Sequence, residues 1–295
     1  MSRRRSWLGL LCISALLCTC ASATSEHQQE GGKLAFISRR DGNDEIYLMN
    51  EDGSGLQRLT NTPKDEEAPQ WSPDGTRIAY MLREGPGNCD LWIMNEIGAP
   101  GEPMVTRSGN DLACTWSPDG ASLAFSSNRD GDLEIYVISL LDGAITKLTD
   151  NVGVIDELAA WSPTGEFIAF ATDRTGEWEI FRINADGTEP MRLTHSAGED
   201  FMPAWSPNGE QIAFVSARYG APDIFTMTKD GEDLRRLTHG YSVDYRPCWS
   251  PDGSRIAFAS NRHGNEDIFI MDADGSNVVQ LTSDPAEDTS PTWRH

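Results

Sequence analysis

Apolar residues fall in short bursts along the chain, separated by Gly, Pro, Asp and Asn, and nowhere keep a helical period. An apolar-Ala-aromatic triplet recurs at Leu34-Ala35-Phe36, Ile78-Ala79-Tyr80, Leu123-Ala124-Phe125, Ile168-Ala169-Phe170, Ile212-Ala213-Phe214 and Ile256-Ala257-Phe258. A second burst follows each triplet. Glu134-Ile135-Tyr136-Val137-Ile138 is an example, apolar on both sides of its pleat, which predicts strands in sheets covered on both faces. Each triplet after the first is preceded by Trp-Ser-Pro-Asp-Gly or a near variant, beginning at Trp71, Trp116, Trp161, Trp205 and Trp249; a sixth Trp stands at 293. The spacings are 45, 45, 44, 44 and 44 residues. Pro presets φ early in that turn, and Gly supplies the positive φ that closes it. Asp-Gly turns at Asp52, Asp142, Asp186, Asp230 and Asp274 lead into a fourth strand. That strand ends in Leu-Thr or Val-Thr at Leu59, Val105, Leu148, Leu193, Leu237 and Leu281.

Four short strands in about 44 residues, repeated six times, predict an all-β fold: a six-bladed β-propeller of four-stranded antiparallel blades. The propeller spans 33–295. It starts on the second strand of a unit (Lys33 to Ser38) and stops after the first strand of another (Pro291 to Trp293). The N-terminal strands are therefore expected to complete the C-terminal blade, removing open sheet edges.

Residues 1–23 read as a signal peptide: Arg3 to Arg5, then the apolar run Trp7 to Cys20, then Ala21-Ser22-Ala23 as a cleavage site. The alternative is a lipoprotein signal ending before Cys20, with Leu17-Cys18-Thr19-Cys20 as the lipobox and a lipid anchor on Cys20. Residues 24–32 form a polar linker. The formal charge is −22, and −25 once residues 1–23 are removed, leaving 21 basic and 46 acidic side chains. That balance excludes nucleic-acid binding, which depends on Lys and Arg displacing counterions from phosphate. Nothing after residue 23 is apolar for long enough to span a membrane as a helix. Cys89, Cys114 and Cys248 remain, an odd number with no CxxC; one Cys89–Cys114 bridge and three free thiols both fit.

Charge also keeps step with the repeat. An acid stands five residues before every unit Trp: Glu66, Asp111, Asp156, Asp200, Asp244 and Asp288. Another opens every third strand: Glu45, Asp90, Glu134, Glu179, Asp223 and Asp267. Arg40, Arg129, Arg174, Arg218 and Arg262 occupy the preceding loop in five units, and Glu84 in the second. All should gather on one rim. In the first reading each Arg bridges nearby acids and ties blades together. In a second, the acids before the Trps ring the channel mouth and bind a cation such as Ca²⁺ through oxygen ligands. No other cofactor is expected. Residues that break the repeat on that rim are the candidate binding surface: Trp178, Phe201, Tyr219, Tyr241, Tyr245 and Arg246, since aromatics and Arg are enriched where proteins bind partners. His195, His239 and His263 lie in no metal-binding spacing.

The run P-x-W-S-P-D-G-x-x-I-A-F, continuing through E-I-Y to D-G and L-T, resembles the TolB-like (PD40, WD-repeat-like) β-propeller repeat. Members include the C-terminal domain of periplasmic TolB and the propellers of tricorn and prolyl-oligopeptidase-type peptidases. The chain departs from TolB in showing no N-terminal α/β domain, and from the peptidases in showing no hydrolase domain or G-x-S-x-G elbow. The resemblance implies an exported, non-catalytic binding scaffold, periplasmic or secreted and monomeric. It would engage a protein or peptide of the cell envelope through the rim and mouth of its channel. The alternative is a carbohydrate-active or metal-dependent, lyase-like enzyme with its site at the channel mouth. Tyr245, Arg246, His239 and Asp244 would be its candidate residues.

Overall fold

The computed structural model describes residues 32–85, 87–98, 101–105 and 109–294; the signal peptide, the Cys20 lipobox and most of the linker lie outside the described residues. Twenty-four strands form six four-stranded antiparallel sheets, and no helix occurs among the described residues. In blade 4 the order runs outward from β12 (Asp156–Trp161) through β13 (Phe167–Thr172) and β14 (Glu179–Asn184) to the short β15 (Met191–Arg192). Blades 2, 3, 5 and 6 follow the same plan. Blade 1 closes the ring: β24 (Asp288–Trp293) pairs with β1 (Lys33–Ser38), and β2 (Glu45–Asn50) and β3 (Gln57–Arg58) complete the sheet. The expected closure is therefore present, with Trp293 buried at 1% exposure.

The apolar-Ala-aromatic triplets are the second strands, and their side chains are wholly buried in six clusters, most of which join neighbouring blades. Trp116, Trp205 and Trp249 each donate their indole N–H to a carbonyl of the preceding blade's innermost strand, at Gln70, Ala160 and Ala204 (3.0, 3.0 and 3.1 Å). In these three blades the Trp both packs a large apolar face and bonds to the preceding blade, whereas Trp161 donates to Gly165 of its own blade (3.4 Å). The glycine of the Asp-Gly turn has a matching function. A Cβ on Gly231, at φ +84°, would lie 2.5 Å from the Leu193 carbonyl oxygen of the preceding blade, so only Gly fits that approach.

The Leu-Thr pair also has a definite task. The Thr194 hydroxyl accepts a 2.9 Å bond from the Ile180 N–H and donates to the buried Glu179 carboxylate that opens the third strand. Thr60, Thr149, Thr238 and Thr282 accept the equivalent backbone bond in their own blades.

Candidate functional site

The repeated charges face into the blades. Arg174 donates from Nη2 to both Asp156 carboxylate oxygens (3.0 and 2.9 Å) and from Nε to Thr172 Oγ1 (3.1 Å). Its guanidinium lies 5.4 Å from the Phe170 ring centroid and 4.7 Å from that of Phe181. Arg40–Asp288, Arg129–Asp111, Arg218–Asp200 and Arg262–Asp244 repeat the pairing, with a Ser in place of Thr172. Each pair joins strands of one sheet, so the Arg binds a blade internally and does not tie it to the next. The second set of acids takes other partners: Arg58–Glu45, Arg192–Glu179 and Arg236–Asp223 form at 2.7, 2.7 and 2.6 Å, with the Arg supplied by the outermost strand.

The acids before the Trps are 0–2% exposed, and five of the six are held by Arg. They do not present a ring of free oxygens to the channel mouth. Among the described residues no three His, Cys, Asp or Glu side chains stand close enough to hold a metal ion. His195, His239 and His263 stand on connections of blades 4, 5 and 6 in turn; His263 bonds Gln280 (2.7 Å) and meets the edge of Phe269.

Blade 2 lacks the Arg. Glu84 pairs instead with Lys64, and Glu66 is left buried with a 2.6 Å bond from the Thr62 hydroxyl. Burial, reinforced by neighbouring Glu45, raises the Glu66 carboxyl to about 7.

The candidate rim residues divide in two. Tyr241 is fully exposed and Tyr219 is 66% exposed, both on connections at the Arg-bearing end of blade 5. Tyr219 stacks on Phe225 (6.1 Å) and lies under the Arg236 guanidinium (4.7 Å), which holds the ring at the surface. Trp178, Phe201 and Tyr245 are half-buried against the inter-blade clusters. The Tyr245 hydroxyl is raised well above its ordinary value, first by burial and then by its bond to Glu266.

Arg246 lies inside the channel. Every innermost strand carries a β-bulge, and the residue three before its Trp has positive φ: Ala68 (50°), Ala113 (42°), Leu158 (58°), Met202 (54°), Arg246 (54°) and Ser290 (55°). A bulge bends its strand and re-aims a side chain, and here all six of these residues line a cavity of about 410 Å³. That cavity extends from the bulges to Pro73, Pro118, Pro163 and Pro207, on the Trp-Ser-Pro side of the ring opposite the Arg-bearing rim. Sequence reading missed this ring, although its constant offset from the Trp was available.

Cys89, Cys114 and Cys248, the cysteines among the described residues, are free thiols, so the Cys89–Cys114 bridge is not formed. Cys114 and Cys248 line the channel wall, and burial pushes them up to about 12 and about 11, leaving them protonated and unreactive.

Comparison with known proteins agrees with this architecture. Tol-Pal system protein TolB of Geobacter sulfurreducens is 44% identical over 55 residues, 19% of this chain and 13% of that protein. Dipeptidyl-peptidase 5 of Porphyromonas gingivalis is 49% identical over 41 residues, 14% of this chain and 6% of that protein. The matches thus span a small fraction of the curated relatives' length. TolB from Acinetobacter baumannii superposes with a TM-score of 0.80 at 24% identity, over 89% of this chain and 66% of that one. Putative TolB from Agrobacterium tumefaciens gives 0.68 at 27% identity, over 85% and 88%. The family described as TolB beta propeller domain matches at residues 68–200, 159–247 and 193–295. Together these segments cover blades 2 to 6 and the strand that closes blade 1, and the chain belongs to the TolB β-propeller family.

Proposed function

We propose that the protein is an exported, non-catalytic scaffold that docks a protein partner of the cell envelope, in the manner suggested by its Tol-Pal system relatives. The docking surface is the Arg-bearing rim around blade 5. The observation that carries this reading is the contrast on that rim. The repeated charges are consumed inside the blades, while Tyr219 and Tyr241 stand 66% and fully exposed. Tyrosine gives a large contact area at low entropic cost, with a hydroxyl that tolerates water when free. The expected signal peptide and the TolB relatives support a periplasmic location. Among the described residues no helix is long and apolar enough to cross a membrane. The separate placement of the three histidines supports the non-catalytic part of the reading.

The test is a photo-crosslinking amino acid at position 241, with covalent adducts isolated from the envelope fraction of the native cell. The reading expects one dominant protein adduct, lost in Tyr219→Ala and absent with the crosslinker at Leu141. Leu141 is 94% exposed in a turn at the other end of the blades. Equal adducts from both positions, or none from 241, would refute it.

A further inference from the structure

Five of the six bulge residues facing the channel are uncharged: Ala68, Ala113, Leu158, Met202 and Ser290. The sixth is Arg246. Arg246 lines both the 410 Å³ cavity and an adjoining one of about 140 Å³, which Glu157 also lines without an ion pair to Arg246, the Glu157 carboxyl being raised by burial. It has no hydrogen bond and no ion pair among the described residues, in a chain of 46 acidic side chains. The carboxylates nearest in electrostatic effect are committed elsewhere: Glu67 to Arg83 (2.5 Å), Asp44 to Arg39 (2.7 Å) and Glu266 to the Tyr245 hydroxyl. Burial accordingly pulls Arg246 below its ordinary value, the direction expected of a guanidinium lacking a counter-charge. Arg246 is half-buried, and a charge partly withdrawn from water without a partner is costly; the other blades demonstrate that this backbone position accepts small or apolar side chains at a similar φ.

We propose that the channel is a carboxylate site: Arg246 takes the carboxylate of a small ligand whose apolar body lies along the channel toward the Trp-Ser-Pro face. The guanidinium offers a planar set of donors matched to a carboxylate. Leu158, Met202, Trp161 and Trp205 supply the apolar wall below it. A volume of about 410 Å³ is within the usual range for a small-molecule site. The carboxylate belongs either to a free small acid or to the terminal residue of a peptide. This site is separate from Tyr219 and Tyr241 and does not depend on the rim reading.

Calorimetry on the mature protein, with 3-phenylpropionate and its primary amide as one pair of probes, tests it. N-acetyl-Ala-Ala-Phe with a free or an amidated terminus forms the second pair. The proposal expects saturable binding of at least one acid, at least tenfold weaker binding of the matching amide, and at least tenfold loss in Arg246→Gln. Binding of 3-phenylpropionate identifies a free acid as a sufficient source; binding of the peptide acid alone identifies a chain terminus. Arg246→Met, which copies the Met202 position, should melt no lower than the parent and serves as the folded control. Should neither Arg246 variant fold, the acid–amide comparison on the unaltered protein still decides. Equal affinity for acid and amide, undiminished binding in Arg246→Gln, or no saturable binding of either acid would overturn it.

Discussion

Replacing Arg174 with Met should lower the melting temperature by roughly 6–12 °C, for reasons visible in its surroundings. Asp156 is wholly buried and receives both bonds from one guanidinium nitrogen, while the Arg174 side chain is 19% exposed. An exposed ion pair contributes about 0–1 kcal/mol, whereas removing one partner of a buried pair costs about 3–5 kcal/mol because a charge is left uncompensated. Partial access of water to the Arg side argues for the low end, about 3 kcal/mol. Loss of the guanidinium from between Phe170 and Phe181 adds to it, offset by the apolar contacts of Met. For a domain of this size each kcal/mol moves the midpoint by about 2–4 °C. Differential scanning calorimetry should therefore record the drop, and Arg174→Met combined with Asp156→Asn should recover most of it. A single variant within about 1 °C of the parent, or a double variant as unstable as the single, would refute the reasoning.

Three further outcomes are expected. Glu66 is raised to about 7 when folded, from an ordinary carboxyl value near 4.5, so the folded state holds its proton more tightly. Its contribution is fully present below about pH 4.5 and is lost as pH rises through about 7. Glu66→Gln should then melt like the parent at pH 4.5 but higher at pH 8.5; parallel melting profiles across that range would contradict this. Gly231→Ala should cost more than about 1 kcal/mol, because its Cβ would meet the Leu193 carbonyl oxygen at 2.5 Å. Gly143→Ala, at φ +72° with nothing within 4 Å of its Cβ, should bear the conformational penalty alone, and urea midpoints for the two will separate these effects. Deleting residues 286–295 removes β24, the partner of β1, and should abolish the single cooperative melt and promote self-association. An unchanged, monodisperse melt would dispose of the latch.

The blade count, the strand order and the closure at β24 and β1 were legible because a Trp, a triplet and a Leu-Thr pair recur at constant spacing. Each is fixed by a local requirement that any blade must meet. The direction of the charges was legible only in part. That each Arg meets a nearby acid was expected and is found, as in Arg174–Asp156, but not that the pair closes within one blade, nor that Glu179 turns to Thr194 and Arg192. Those pairings depend on which side of a strand each residue takes. The rim aromatics divided for the same reason: Phe201 and Tyr245 belong to innermost strands and pack between blades, whereas Tyr219 and Tyr241 sit on connections. The channel ring was hidden most completely. Its positive φ is usually announced by Gly or Asn, and here the six positions hold Ala, Ala, Leu, Met, Arg and Ser.

Residues that repeat hold the blades, and residues that break the repeat are the ones proposed to bind. One paired measurement tests that division most directly: crosslinked adduct yield from position 241 and melting temperature, recorded on the same samples of Tyr219→Ala and Arg174→Met. The prediction is that Tyr219→Ala keeps its melting temperature and loses the adduct, while Arg174→Met melts lower and, assayed below its transition, keeps the adduct. Loss of the adduct in Arg174→Met while folded, with its retention in Tyr219→Ala, would contradict the account.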